Sequence, residues 1–199
     1  KAIDNARELY AKVPGLNIWE SDAGGLQLGI GARGLSPSRT AHFNTRQNGY
    51  DISADALGYP ETYYTPPSEA LASIQLIRGA ASLQFGPQFG GMINFKIKEP
   101  SANPFNYEGT HTYGAYNLFN TFNLVSGTIK KRFSYLAYFQ NKRGDGWRTN
   151  SGFNQQNAFA QLKYHITERM FISVEQTHMR YLAQQAGGLT DGMFNQDPR

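Results

Sequence analysis

The chain has 199 residues, of which 40% are hydrophobic and 14% aromatic but only 17% charged, a composition that favours aromatic-rich β-structure over helix. It has no cysteine, which excludes disulfides, thiolate metal sites and a cysteine nucleophile. The net charge is +4, and apart from Lys130-Lys131-Arg132 the basic residues are dispersed, so a nucleic-acid-binding face is not expected. No run approaches the roughly 18 apolar residues of a spanning helix, although barrel strands would leave only a weaker alternating signal.

The first part of the chain predicts one helix and several short strands. Residues 3–10 have the apolar spacing of a short amphipathic helix, which Val13-Pro14-Gly15 would end. Strands are predicted at residues 16–19 and 26–30. Residues 36–67 are rich in proline and glycine, so we expect loops with few core residues. Such loops on a rigid scaffold often carry binding residues, and plain connecting chain is the alternative.

The segment between Ser73 and Phe95 is the most informative of the sequence. A short apolar strand runs into Arg78-Gly79, and Gly90-Gly91 opens a second apolar strand, Met92-Ile-Asn-Phe95. Glycines at these points let the backbone turn with positive φ and approach another chain closely. Because Arg78 stands at a strand end, we expect a carboxylate or carbonyl groups to hold it.

Residues 99–104 carry two prolines and predict a linker between residues 1–98 and residues 105–199. After it, strands are predicted at 105–117, 120–129, 133–143, 155–166 and 169–182. The fourth alternates clearly, with Leu162 on an apolar face and Gln161 on the opposite one. About ten residues per strand with one apolar face is typical of a transmembrane barrel, and a soluble β-sandwich is the alternative. Turns of alternating length would make residues 183–199 the start of an extracellular loop.

The sequence does not support a catalytic function. The four histidines lack metal-ligand spacing, and the chain has neither a Gly-x-Ser-x-Gly elbow nor a Walker loop. Gly29-x-Gly31-x-x-Gly34 matches the dinucleotide pattern and follows a strand, but Leu35-Ser-Pro37-Ser does not continue into a helix as that site requires. We therefore predict no enzyme, no permanently bound cofactor and no metal site.

Two arginine motifs carry a family resemblance. The segment between Ser73 and Phe95 resembles the end of the plug domain of TonB-dependent outer-membrane receptors, and Gly31-Ala-Arg33-Gly34-Leu35 resembles their Ile-Arg-Gly element. Asn48-Gly49 stands where Asp-Gly usually follows. The resemblance implies an α+β plug domain with a small mixed sheet over residues 1–98, then the first five antiparallel strands of an outer-membrane β-barrel over residues 105–199. Five strands cannot close a barrel around a plug, so we expect a piece of a longer receptor without its TonB box.

The resemblance also implies a function, namely active uptake of a scarce solute across the outer membrane of a Gram-negative bacterium, energised by the partner TonB. Outer-membrane lipid would surround the strands, and iron would be carried as a chelated ligand. Gly146-Trp147-Arg148 and Gly187-Gly188-Leu189-Thr190 resemble the ferric citrate receptor branch, whereas Asn48-Gly49-Tyr50 departs from the family pattern. Ferric citrate is therefore the expected cargo. Haem, a cobalamin or an oligosaccharide is an alternative, as is a passive porin or adhesin.

An anionic iron chelate needs guanidinium, amide and hydroxyl donors. The expected ligand-binding residues, in plug loops and the first long barrel loop, are Arg39, Arg46, Thr62, Tyr63, Tyr64, Gln88, Trp147 and Arg148. The resemblance further implies that Arg33 and Arg78 pair with barrel glutamates and lock the plug. We expect those glutamates beyond Arg199, although Glu175 faces the polar side of its strand.

Overall fold

A computed structural model describes residues 12–20, 24–25, 28–54, 62–79, 84–85 and 89–198, so the helix predicted at residues 3–10 lies outside the described residues. Within these ranges no helix is long and apolar enough to cross a membrane. The elements are β1 (Leu16–Glu20), β2 (Leu28–Ala32), β3 (Phe43–Gln47), β4 (Tyr50–Asp51), β5 (Leu71–Ile77), β6 (Gly91–Ile97), β7 (Asn106–Tyr113), β8 (Phe119–Ile129), β9 (Phe133–Gly144), β10 (Phe153–His165), β11 (Phe171–Ala183) and α1 (Asp191–Gln196).

The N-terminal part, residues 12–98, contains two small sheets that share one core. Strands β1 and β2 form an antiparallel pair, and the second sheet has the order β4-β3-β6-β5 with β3 and β6 parallel. The core between them includes Ile30, Phe43, Ile93 and Phe95, all almost completely buried. The prediction of a small mixed sheet is therefore confirmed.

The prediction that residues 36–67 are loops with few core residues is wrong for β3. This strand lies between β4 and β6, so its polar side chains Asn44, Thr45 and Gln47 are buried together with Phe43. Its sequence, Phe-Asn-Thr-Arg-Gln, shows no apolar alternation because hydrogen-bonded polar groups fill its sites. The position in the sheet, rather than the composition, makes it a strand.

The C-terminal sheet, residues 106–183, is an antiparallel meander in which β7 to β11 pair in chain order. Its strands are 8 to 13 residues long and confirm the five predicted strands, with ends shifted by a few residues. The sheet is open, with β7 and β11 at its edges. We call the end that carries residues 114–118, 145–152 and 184–198 the loop end, and the end that carries turns 130–132 and 166–170 the turn end.

The two faces of the C-terminal sheet have opposite environments. On β10 the buried side chains are Gln155, Asn157, Phe159 and Gln161, which face the N-terminal part, while Leu162 on the opposite face is 50% exposed. Polar groups inward and apolar groups outward is the arrangement of strands in an outer-membrane barrel. It confirms the alternation predicted for this strand.

Candidate functional site

The N-terminal part meets the C-terminal sheet through a set of polar contacts that we call the inner-wall interface. Its contacts join Asn48 to Glu175, Gln47 to Thr177, Tyr64 to Tyr138, Glu69 to Asn120, and Gly24 to Lys142. Three of the five C-terminal strands contribute, namely β8, β9 and β11. None of these five contacts is an ion pair, because each charged group among them meets a neutral amide or carbonyl group.

Asn48 is positioned by a tight turn between β3 and β4. Asn48 and Gly49 both have positive φ, 49° and 93°, as Asn-Gly does in type I′ hairpin turns. The backbone N–H of Asn48 donates to Phe95 O at 2.9 Å, and its Oδ1 accepts from Ile97 N at 3.0 Å. These bonds direct Nδ2 at Glu175, whose two carboxylate oxygens lie 3.1 and 3.0 Å away.

The carboxylate of Glu175 therefore has an amide partner from the N-terminal part and another from its own sheet. Gln161 on β10 donates to Oε1 of Glu175 at 2.6 Å. Hydrogen bonds to a charged acceptor are about twice as strong as neutral ones. Asn48 is thus the contact of the inner-wall interface that we expect to contribute most to holding the two parts together.

A chain of hydroxyls and one amide surrounds Gln47. The Tyr64 hydroxyl donates to Gln47 Oε1 at 3.0 Å, and Gln47 Nε2 donates to Thr177 at 3.1 Å and to the Tyr50 hydroxyl. The Tyr64 and Tyr138 hydroxyl oxygens lie 3.3 Å apart. Burial raises the pKa of Tyr64 well above its ordinary value of 10. The hydroxyl therefore keeps its proton at neutral pH and acts as a donor in this chain.

An apolar cluster lies next to these contacts and completes the interface. It is formed by Ala70, Ile97, Phe122, Leu124, Leu136, Tyr138 and Phe159, with the first two from the N-terminal part. The Tyr138 ring stacks on Phe159 with 5.3 Å between ring centroids. The inner-wall interface thus combines a small apolar cluster with surrounding polar contacts. Separation of the two parts would therefore expose only a limited apolar surface to water.

A close backbone approach marks the edge of the interface near the loop end. Lys142 Nζ donates to Gly24 O at 2.9 Å. A Cβ placed on Gly24 would lie 2.7 Å from the Phe153 ring, which is closer than side chains tolerate. Only glycine fits there without movement of the ring.

A cavity of about 760 Å³ opens at the loop end between β1 and the connecting segments of the C-terminal sheet. Four aromatic residues line it, namely Trp19, Tyr116, Trp147 and Phe153, together with Arg148 and Gln184. Arg148 Nη2 donates to Gly187 O at 2.8 Å. Its Nε is buried and has no hydrogen-bond partner among the described residues, which leaves one unused donor beside the cavity.

The cavity brings together two of the predicted ligand-binding residues, Trp147 and Arg148. Arg46 lies in the N-terminal part, where its guanidinium donates to Asn44 Oδ1 at 2.7 Å, Gly49 O at 2.6 Å and Phe85 O at 3.1 Å. These bonds use all three nitrogens of the Arg46 guanidinium, so contacts within the N-terminal part explain the position of this side chain.

The remaining predicted ligand-binding residues are dispersed. Thr62 is buried against the Thr45 hydroxyl, Tyr64 belongs to the inner-wall interface, and Tyr63 is half-buried beside it. Arg39 is exposed, and its carbonyl accepts from Thr62 N at 2.9 Å. Gln88 lies outside the described residues.

Arg33 and Arg78 both bind carbonyl groups of the N-terminal part. Arg33 Nη1 donates to Phe89 O at 3.1 Å, and Arg78 Nη2 donates to Pro14 O. Glu175, considered above as a partner for such an arginine, is held by Asn48 and Gln161 instead. The pairing of the two arginines with glutamates elsewhere in a complete barrel stays a prediction.

Sequence reasoning missed most of the inner-wall interface. Gln47, Glu69 and Asn120 are polar residues in strands or a turn, and each is explained by a partner far away in the chain. The signal available was the polar face of β10, which indicated a hydrogen-bonding inner wall but not its partners.

Comparison with known proteins gives one matching family model, for the N-terminal part of the chain. The family model described as TonB-dependent Receptor Plug Domain matches residues 1–92. A search of curated proteins found no significant match. Because the matched family is one of receptors, the prediction that the chain is not an enzyme agrees with it.

Several solved structures of receptors and transporters have a similar fold. The unliganded ferric citrate transporter FecA superposes with a TM-score of 0.79 at 22% identity, over 96% of this chain and 31% of that one. The copper transporter OprC gives 0.72 at 14% identity, over 91% and 29%. The siderophore receptor PirA from Acinetobacter baumannii gives 0.67 at 16% identity, over 90% and 29%.

At these identities the likeness shows the fold, and the chain spans less than a third of the length of these three proteins. The inner-wall interface corresponds to a plug seated against part of a barrel wall. Residues 1–92 match the family model of the TonB-dependent receptor plug domain, and the chain has the fold of such a plug followed by antiparallel strands that resemble the receptor barrel.

Proposed function

We propose that this chain is part of a receptor that takes up a ferric chelate across the outer membrane of a Gram-negative bacterium, driven by TonB. Ferric citrate is the first candidate cargo. The observation that carries the proposal is a plug domain held against an inward polar wall by hydrogen bonds such as Asn48 to Glu175. A passive pore has no use for a plug that must be displaced.

The inner-wall interface suits a plug that is moved by force and then reseats. The net value of a hydrogen bond is about 1 kcal/mol between neutral groups and about 1.5–3 kcal/mol to a charged group, so each contact can be exchanged for water singly. The contacts act together at rest, but a pull from the periplasmic side would break them one after another. TonB is the partner that the family implies for that pull.

The loop-end cavity is the proposed entry site for the cargo. Arg148 offers a buried cationic donor, and Trp147 and Trp19 offer ring faces. A guanidinium binds carboxylate oxygens in directional, charge-assisted bonds, as an iron chelate of citrate would require. Iron itself is cargo here and needs no protein ligands.

The aromatic lining favours a second class of cargo as well. Four rings around one guanidinium would also suit a chelate that carries planar rings, haem among them, because ring faces stack on such groups. An oligosaccharide would stack on the same rings. The architecture and the TonB-driven step would be unchanged.

Tryptophan fluorescence of the full-length, detergent-purified receptor tests the cargo. Both tryptophans of this chain line the cavity, so ferric citrate should change the emission saturably, and a Trp147→Phe variant should lose part of that change. Iron-free citrate and haem are the controls. No response to ferric citrate from a folded receptor, with a response to haem, would replace the citrate assignment by the second class.

A further inference from the structure

We propose that the turn end of the C-terminal sheet binds the phosphate groups of anionic phospholipids. The site is the basic turn-end patch, defined as Lys130, Lys131, Arg132 and Arg169, all exposed. The inference rests on the proposed function only in that the outward face of the sheet must lie in a membrane.

The two turns of the patch lie side by side. Arg132 O accepts from His165 N at 2.8 Å, which joins the first turn to the strand that enters the second. The patch therefore places four cationic side chains at one edge of the sheet. Glu168 is the acid within these two turns, and Glu99 in the nearby linker is engaged with Lys163 at 3.5 Å. The two turns therefore carry a net positive charge, which favours an anionic partner.

The backbone of the first turn indicates that its lysines are present for their charge. Lys130 and Lys131 have φ of 50° and 56°, and Arg132 N closes the turn on Ile129 O at 3.1 Å. Two positive φ values in a hairpin turn favour Asn and Gly, and lysine is disfavoured there. Turn stability therefore does not explain the two lysines.

The surface beside the patch has the character of a membrane boundary. Ile129, Tyr164, Met170 and Ile172 on the turn end are all between 45% and 58% exposed. Aromatic rings beside an apolar band mark the level of lipid head groups in membrane barrels. Cations directly beyond such a belt reach the phosphates of that leaflet. An anionic phospholipid is therefore the occupant that fits both the apolar band and the charge.

The test uses the full-length receptor in a neutral detergent, titrated with dioleoylphosphatidylglycerol, with bound lipids counted by native mass spectrometry. The variant is Lys130→Asn with Lys131→Gly, which removes two charges and supplies the residues that the turn prefers. Its control is Lys130→Arg with Lys131→Arg, which keeps both charges. Dioleoylphosphatidylcholine and inorganic phosphate separate head-group charge from lipid binding in general and from free anions.

We expect wild type and the arginine control to bind phosphatidylglycerol alike. The Asn-Gly variant should bind it at least tenfold more weakly, since each lysine near an anionic lipid surface contributes a factor of about five. Its thermal midpoint in detergent should stay equal or rise, which shows that it folds. Unchanged lipid affinity in the Asn-Gly variant, or equal competition by inorganic phosphate, would overturn the proposal. Neither readout involves cargo or TonB, so a failed uptake assay would leave this result interpretable.

Discussion

Asn48 and Glu175 are 127 residues apart in the chain, yet the Asn48 amide nitrogen lies 3.1 and 3.0 Å from the two oxygens of the Glu175 carboxylate. The resemblance to other receptors places an aspartate where Asn48 stands. In this chain an aspartate would face a second carboxylate. The Asn48 amide can donate to the Glu175 carboxylate on β11, which an aspartate at this position could not do when ionised.

Replacement of Asn48 by Asp should weaken the inner-wall interface at neutral pH. Two facing carboxylates repel, and loss of the amide donor to a charged group costs about 2 kcal/mol. Glu175 would raise the pKa of the introduced carboxylate, so stability should return as the pH falls through that raised pKa. Thermal unfolding of the full-length receptor at pH 5 and pH 8 measures this.

The control for that variant is Asn48→Gly, which keeps the positive φ of the turn and removes the side chain. It should lose stability equally at both pH values. A pH dependence in Asn48→Gly as large as in Asn48→Asp would contradict the assigned contact.

Tyr64→Phe should destabilise the receptor by about 1 kcal/mol, because Gln47 Oε1 loses its donor in a buried site. It should also reduce sensitivity to alkali. Burial holds the pKa of Tyr64 above the value of 10 expected in the unfolded chain, so the stabilisation is complete below pH 10 and falls as the pH rises above it.

Chemical unfolding of the full-length receptor between pH 8 and pH 11 measures how steeply the free energy of unfolding falls as the pH rises. Tyr113→Phe is the matched control, since Tyr113 is 78% exposed. Equal alkaline slopes for wild type and Tyr64→Phe would show that Tyr64 titrates as it does in the unfolded chain.

Gly24→Ala should cost about 1–3 kcal/mol, because the new methyl would lie 2.7 Å from the Phe153 ring. Gly188→Ala is a fitting control, since a Cβ there meets nothing within 4 Å. Addition of Phe153→Leu to Gly24→Ala should recover part of the loss. If the double variant is as unstable as the sum of the two single variants, the clash is not the cause.

Arg148→Gln should lower the affinity for ferric citrate by tenfold or more, because a charge-assisted bond to a carboxylate is worth about 1.5–3 kcal/mol. Arg143→Gln removes an exposed cation at the same end and should leave the affinity unchanged. Calorimetric titration of the full-length receptor provides the comparison. A loss of affinity in Arg143→Gln equal to that in Arg148→Gln would point to general charge attraction in place of a specific contact.

Local sequence pattern predicted the C-terminal strands well and the inner-wall interface poorly. Leu162 and Tyr164 alternate with Gln161 and Lys163 because successive β10 residues face opposite sides of the sheet, and this period of two is visible in the sequence. Strand β3 was missed because its buried sites are filled by hydrogen-bonded polar side chains. Helix α1 was missed because it is only six residues long and is marked mainly by its Thr190 cap.

In the candidate site, too, local motifs could be predicted from the sequence and contacts between distant residues could not. Trp147 and Arg148 were predicted from a loop motif, and they line one cavity. The partners of Asn48, Gln47 and Tyr64 lie on distant strands, so only the assembled fold identifies them. Tyr64 was assigned to a ligand-binding loop, whereas the structure places its hydroxyl at the inner wall, within reach of Tyr138.

Uptake of radiolabelled ferric citrate by cells that carry the full-length receptor, in matched strains with and without TonB, tests the central claim most directly. The proposed function predicts uptake that falls to background when TonB is absent, because the hydrogen-bonded plug then stays seated. Equal uptake in both strains would contradict it and would indicate a passive pore.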